Sequence, residues 1–269
     1  VRLELEDVHH VYAPGTRFEV PALRGVSLAV EPGEVLAVVG GTGSGKSTLA
    51  QHLNLLLKPT RGRLLVDGED ARGMKLGELR RRVGLVFQFP EAQLFESSVR
   101  RDVAFAPRRL GLGEDAVGER VRQALAELEI SHLADRSPFS LSGGERRRAA
   151  IAGVLAMDPE VLVLDEPTAG LDPFARAELL GLVRRFRERG RSVVLISHDL
   201  DEVAEVADRV CVLERGRVRA LGTPEEVFYA NPALAPATVR VMAALGRAEA
   251  GRPVRFADTL QALKELLEG

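Results

Sequence analysis

A single cysteine, Cys211, stands in this chain of 269 residues. One thiol excludes an internal disulfide and any cysteine-rich zinc site. It sits in the apolar run Val210-Cys211-Val212-Leu213, where a small buried strand residue is expected. A dominant charge is also missing. The formal net charge is −2, which removes any global electrostatic case for nucleic acid or for an anionic membrane surface. The basic runs are short, Arg80-Arg81-Arg82 and Arg146-Arg147-Arg148, and are expected on a solvated face. No apolar run approaches the ~18 residues of a spanning helix and no signal-peptide pattern opens the chain, so a soluble, intracellular protein is expected. Internal repeats and low-complexity tracts are absent. Arginine supplies most of the positive charge, as in proteins of GC-rich or heat-adapted origin. The length suits one large α/β domain with a modest extension.

Against these absences one stretch stands out, Gly40-Gly41-Thr42-Gly43-Ser44-Gly45-Lys46-Ser47-Thr48. It fits G-x-x-x-x-G-K-[ST] and lies between a buried-strand run, Val35 to Val39, and a helix start, Leu49 to Leu53. Glycines let successive N–H groups turn inward as an anion cradle, and the helix N-terminus adds partial positive charge. Lys46 is expected to reach β- and γ-phosphates, and the Ser47 hydroxyl to sit on Mg²⁺. The bland alternative is a glycine-rich turn that binds nothing; the strand–loop–helix context favours a nucleoside triphosphate.

Elsewhere, period-two runs at Leu3 to Glu6 and Val26 to Val30, with Pro-Gly turns at 14–15 and 32–33, predict an antiparallel layer. Arg63 to Gly68 reads as a strand entering a turn, and Val83 to Phe87 as a buried strand. Residues 98–157 switch to helical spacing, with Val117, Val121, Leu125 and Leu128 on one face. Alternation then resumes: strand Val161 to Leu164, helix Pro173 to Arg189, strand Ser192 to Ser197, helix Leu200 to Ala207, strand Val210 to Leu213. That order predicts a largely parallel sheet with helices on its faces. Thr223-Pro224-Glu225-Glu226 has the form of a capped helix start. A Pro/Ala-rich stretch follows at 232–237, and Gly246 to Pro253 reads as a linker. Phe256, Leu260, Leu263 and Leu267 mark a final amphipathic helix whose apolar face needs cover from its own domain or a partner.

Two further motifs bear chemistry. The strand Val161 to Leu164 ends in Asp165-Glu166. In phosphate-loop enzymes such a strand is expected beside the loop strand, with its Asp reaching Mg²⁺ through water and Glu166 orienting and deprotonating an attacking water. By themselves two acids ending a strand also suit a helix-capping turn. Leu141-Ser142-Gly143-Gly144-Glu145 opens a helix expected to run through Ala156; Ser142-x-x-Glu145 is a capping box, and its glycines leave an anion-binding N-terminus.

On these residues the chain resembles the nucleotide-binding subunit of an ATP-binding-cassette (ABC) transporter. Glu145 replaces the family's usual glutamine, a change expected to keep the cap and to weaken closure near a triphosphate. The resemblance implies an α/β phosphate-loop cassette with a mainly parallel sheet, an N-terminal antiparallel layer, a helical subdomain (about 90–157) and a short C-terminal helical extension. It places the cassette at 1–230 and the extension, a candidate dimer contact, at 231–269. It implies ATP and Mg²⁺, with Ser47, Gln88 and Asp165 at the metal. It also implies that Tyr12 stacks on adenine, that Glu166 and His198 are catalytic, and that 141–145 meet ATP held by the opposite subunit. Asp172 then crosses the interface; as bland alternatives, Asp172-Pro173 is also a helix N-cap, and His198 a polar residue at a strand end.

More narrowly, Tyr12 to Glu19, Phe87 to Glu96, Ala104 to Pro107 and Arg147 to Pro159 are similar to the ATPase of energy-coupling factor (ECF) transporters, in particular to the second of two paralogues. That likeness implies a second ABC ATPase, a paralogue rather than an identical chain. It also implies an integral membrane coupling protein (T component), substrate-capture membrane proteins (S components) and a peripheral position on the cytoplasmic side of the cell membrane, with no nucleic acid. Vitamins or transition-metal ions are the implied cargo. The alternatives are an ordinary ABC importer or exporter ATPase, a soluble ABC ATPase such as an iron–sulfur assembly factor, and a degenerate cassette that binds ATP without turnover. The presence of Glu166 and His198 argues against the last.

Overall fold

The computed structural model describes residues 1–246 and 252–268, with side chains as far as Glu265. The chain forms β1 (Leu3–Tyr12), β2 (Val20–Val30), β3 (Val35–Val39), α1 (Lys46–His52), β4 (Arg61–Val66) and the short β5 (Glu69–Asp70). After α2 (Leu76–Arg82) and β6 (Val83–Val86) come α3 (Val99–Arg109), α4 (Glu114–Glu127) and α5 (Gly143–Leu155), with no strand between them. Alternation returns with β7 (Val161–Asp165), α6 (Pro173–Glu188), β8 (Ser192–Ile196), α7 (Leu200–Val206), β9 (Arg209–Glu214), β10 (Arg217–Gly222) and α8 (Pro224–Ala230). Helices α9 (Ala237–Ala244) and α10 (Phe256–Glu268) follow.

The strands form two sheets. One is antiparallel, in the order β2-β1-β4-β5; the other runs β10-β9-β3-β8-β7-β6 and is parallel except for the hairpin strand β10. Alternate residues of each central strand enter different cores, as a sheet covered on both faces requires. Leu36 and Val38 pack with Val194, Ile196 and the α1 residues Leu49 and Leu53 against the antiparallel sheet. Ala37 and Val39 pack on the opposite face with Val203 and Phe228. Burying a valine, leucine, isoleucine or phenylalanine in this way stabilises the fold by about 1.5–3 kcal/mol.

One sequence expectation is overturned here. The strand carrying Asp165 does not lie beside the phosphate-loop strand: β8 pairs with β3 on one side and with β7 on the other. The intervening strand leads directly into Ser197-His198, so the sheet order itself sets His198 between the loop and the acidic pair.

The helical run packs its predicted face inward. Val117, Val121, Leu125 and Leu128 are buried with Val103, Ile151 and, from α6, Leu182 and Val183. Both predicted capping boxes form, at Ser142/Glu145 and Thr223/Glu226. Strand β10 and helix α9 have no counterpart in the sequence reading. Of the predicted linker, residues 247–251 lie outside the described residues, as does the side chain of Leu267. On α10, Phe256 and Leu260 are exposed while Leu263 is half-buried and Thr259 buried, so among the described residues the apolar face is only partly covered by its own domain.

Burial pushes the Cys211 thiol up to about 12. At pH 8 the thiolate fraction is then about one part in 10⁴. Iodoacetamide should leave the native protein unmodified and add one adduct after denaturation, as read by intact mass.

Candidate active site

The loop after β3 is built by backbone contacts that only glycine permits. Gly40, Gly43 and Gly45 have φ of 153°, 77° and 105°. A Cβ on Gly40 would stand 2.1 Å from the Leu213 carbonyl oxygen, and one on Gly45 2.6 Å from that of Ala22. The loop is tied to the next hairpin by Gly216 N–H donating to the Ser44 carbonyl at 2.9 Å. Helix α1 starts at Lys46 with no side-chain cap and no acidic residue in its first turn, so its N–H groups remain open to an anion. Lys46 Nζ donates to the carbonyls of Gly40 (2.8 Å) and Gly41 (3.2 Å).

An open cleft brings nine of the predicted residues together. Gly40, Gly41, Thr42, Gly43, Lys46, Ser47, Gln88, Glu166 and His198 all line it. Asp165, at the end of β7, is buried. Its carboxyl pKa is raised by burial, against which the Ser47 hydroxyl hydrogen bond acts. Its Oδ1 is buried without a hydrogen-bond partner among the described residues. Glu166 follows in a left-handed conformation, φ 49°, anchored by its N–H donating to the Ile196 carbonyl at 3.0 Å. Its Oε2 lies 2.5 Å from His198 Nδ1.

Tyr12 is partly exposed, and its hydroxyl is 3.1 Å from Thr48 Oγ1. Its ring meets that of His10 edge-on at 4.5 Å, and His10 meets His52 at 4.8 Å. Within the loop stretch, Ser44 and Thr48 are buried. The structure does not bring Leu141–Glu145 into this cleft. Ser142 Oγ accepts from Glu145 N–H (3.3 Å) and the Glu145 carboxylate accepts from Ser142 N–H (2.8 Å). That backbone hydrogen bond, followed by the one to the Ser142 hydroxyl, holds the Glu145 carboxyl below the usual range. Asp172 is exposed and caps α6 through the N–H groups of Phe174 (2.9 Å) and Ala175 (3.0 Å).

Several residues that sequence reasoning missed support the site. Glu202 is buried; its Oε2 accepts from Thr168 Oγ1 (2.7 Å) and Ser197 Oγ (3.3 Å), which lie beside Glu166 and His198 in the chain. Burial raises its pKa, opposed by the Thr168 hydrogen bond. Leu234, from the extension, lines the cleft. Arg147, expected on a solvated face, is buried. No local signal marks Glu202 or Leu234, because the partners of each lie on other elements.

Residues 23–169 match the family described as ABC transporter. A relative from Symbiobacterium thermophilum, "Energy-coupling factor transporter ATP-binding protein EcfA2", is 54% identical over 91% of this chain and 86% of its own length. Its namesake from Clostridium perfringens is 46% identical over 84% of this chain and 81% of its own. Among solved structures, cbiO1 from Clostridium perfringens, part of the ABC transporter complex cbiONQ, superposes with TM-score 0.77 at 41% identity, covering 91% of this chain and 96% of that one. The ATP-binding cassette MJ0796, a dimer in a post-hydrolysis state with ADP and Pi, gives 0.74 at 27% identity, over 82% of this chain and 98% of that one.

Proposed function

The chain belongs to the ABC transporter family as an ATP-binding subunit of the energy-coupling factor kind, and from that premise we propose that it energises uptake of vitamins or transition-metal ions. It acts through a membrane coupling protein and separate substrate-capture proteins, as a peripheral subunit on the cytoplasmic face of the cell membrane. As an ABC ATPase it hydrolyses ATP in a transport cycle. The observation that carries the reading is the division of the site. Residues 40–43, Lys46, Ser47, Gln88, Glu166 and His198 share one cleft, while the exposed Ser142 and Gly143 open a capped helix N-terminus elsewhere on the same chain. Two half-sites on one chain support a head-to-tail pair in which each cleft is completed by the other subunit. The relatives' shared name, EcfA2, supports a paralogous partner over an identical one.

In this mechanism Lys46 leaves the Gly40 and Gly41 carbonyls for the β- and γ-phosphates, and Tyr12 stacks on adenine. Glu166 orients the attacking water and takes its proton, and His198 contacts the γ-phosphate. The residues at the Asp165 end of the cleft fit Mg²⁺. Asp165 Oδ1 is a buried oxygen lacking a partner among the described residues, and the Ser47 hydroxyl beside it is a second hard ligand. Ser47, Gln88 and Asp165 would hold the ion, which when bound neutralises charge on the phosphate oxygens. We take 1–230 as the cassette, about 90–157 as its helical subdomain and 231–269 as an extension contributing to dimerisation through the exposed Phe256 and Leu260 of α10. The exposed aromatics Phe89, Phe95 and Phe105, next to Gln88, suit docking of the membrane coupling protein.

Affinity capture of the chain from its native membranes, with mass spectrometry of what accompanies it, tests this reading. A related ATPase, one integral coupling protein and several small membrane proteins are expected. A single dedicated permease would move the assignment to an ordinary importer or exporter, and a soluble complex would sink transport altogether.

The Glu145 carboxylate is committed to its cap, and glutamine completes the same capping box. Glu145→Gln should therefore leave stability within about 0.5 kcal/mol. Removing a negative charge from the face that meets a triphosphate should lower the ATP concentration for half-maximal dimerisation about threefold, as read by size-exclusion chromatography. An unchanged midpoint would show that the carboxylate does not face the nucleotide.

A further inference from the structure

Arg147 lies in the first half of α5, behind Ser142–Glu145, and is buried to 6% exposure. A buried arginine needs partners for its whole fork of donors, and those of Arg147 come from two separate segments. Nη2 and Nε each stand 3.2 Å from the Glu91 carboxylate oxygens, in a bidentate pair. Nη1 donates to the carbonyls of Pro167 (3.1 Å) and Ala169 (2.7 Å). The guanidinium carbon is 5.9 Å from the centre of the Phe89 ring.

Both bound segments begin with a strained turn. Phe89 (φ 53°) and Glu166 (φ 49°) are non-glycine residues in the left-handed region, a conformation that persists only where the surroundings over-determine it. Phe89 directly follows Gln88, and Pro167 directly follows Glu166. One planar group thus restrains the turn after Gln88 and the turn that aims the Glu166 carboxylate.

We propose that Arg147 is a positioning residue for ATP hydrolysis: it links the segment 88–91 to the peptide 166–169, so that a shift in the first re-aims Glu166. The proposal rests on the ATPase reading above and adds a route by which the aromatic surface at 89–105 acts on the hydrolytic carboxylate within one subunit. A lysine keeps the charge but not the fork, so Arg147→Lys separates this geometry from charge alone.

The test uses the full-length chain and its assembled transporter, comparing wild type, Arg147→Lys, Glu91→Gln and the double variant. Steady-state kinetics should show kcat reduced about tenfold in each single variant, with KM for ATP within about twofold and the double variant no worse than either single one. Hydrogen exchange should rise at 166–170 in Glu91→Gln, although that substitution lies in the other segment. Unchanged kcat per folded molecule in Arg147→Lys, additive losses in the double variant, or exchange confined to the mutated segment would each overturn the proposal. Absence of turnover in the wild type would instead count against the ATPase reading, and the exchange measurement would still decide whether the two segments are linked.

Discussion

Glu166→Gln should lower kcat for ATP hydrolysis about 10³-fold while leaving ATP binding intact, and ATP should then drive the protein into a stable closed dimer. Glutamine matches glutamate in shape, and the end of β8 holds the position: the residue's N–H is bonded to the Ile196 carbonyl at 3.0 Å. The side-chain amide can still accept from His198, now 2.5 Å from the carboxylate, so geometry survives. What is lost is the basic oxygen, and a positioned general base contributes about 10²–10⁴-fold. Ligand contacts that exist only in the closed state then hold it closed, because the step that releases them is blocked. Phosphate release and size-exclusion chromatography with ATP report the two effects. Wild-type turnover in the variant would remove Glu166 from the role of base.

How much of this site could be read before the fold was known depends on where each residue's partners lie. The loop 40–48 and the boxes Ser142/Glu145 and Thr223/Glu226 are local. Their chemistry is completed within a few residues, and the structure places them as the spacing predicts. The helical face Val117, Val121, Leu125, Leu128 is legible for the same reason, since periodicity is a property of one segment. Strand order is not local. Nothing in Val161–Asp165 says that β8 will insert between it and β3, and the expected adjacency was wrong by one strand. The error matters because the inserted strand carries Ser197 and His198, which gives His198 its place against Glu166.

Arg147 fails as a sequence reading for a related reason. Three successive arginines after a capping box look like a solvated helix face, yet a helix turns 100° per residue, so the three span 200° and do not share one face. Whether Arg147 is buried productively depends on Glu91 and on two carbonyls of the 167–169 turn. Glu202 is the mirror case, an acid on α7 whose burial makes sense only beside Thr168 and Ser197. The α10 face is legible as apolar but not in its occupant, because Phe256 and Leu260 remain exposed on the single chain.

The second large effect separates two adjacent glycines, Gly40, which the motif fixes, and Gly41, which it leaves open. Gly40→Ala should cost about 10²-fold in kcat/KM, whereas Gly41→Ala should stay within about threefold of wild type. A Cβ on Gly40 would sit 2.1 Å from the Leu213 carbonyl oxygen and 2.9 Å from Ser44 Oγ. The carbonyl belongs to β9, which pairs directly with β3, so relief requires the loop to move rather than a side chain to rotate. A displacement of about 1 Å is enough to misplace a bound group by a factor of about 10², and the same clash should lower thermal stability by about 1–3 kcal/mol. Gly41 has no atom within 4 Å of its would-be Cβ and no positive φ, so alanine there meets open space. Calorimetric titration of ATP into both variants, beside their thermal midpoints, tests the contrast. Equal affinities would mean that the Leu213 carbonyl does not set the position of the loop. A loss confined to Gly40→Ala would show that the anion cradle is held in shape by the neighbouring strand as much as by its own glycines.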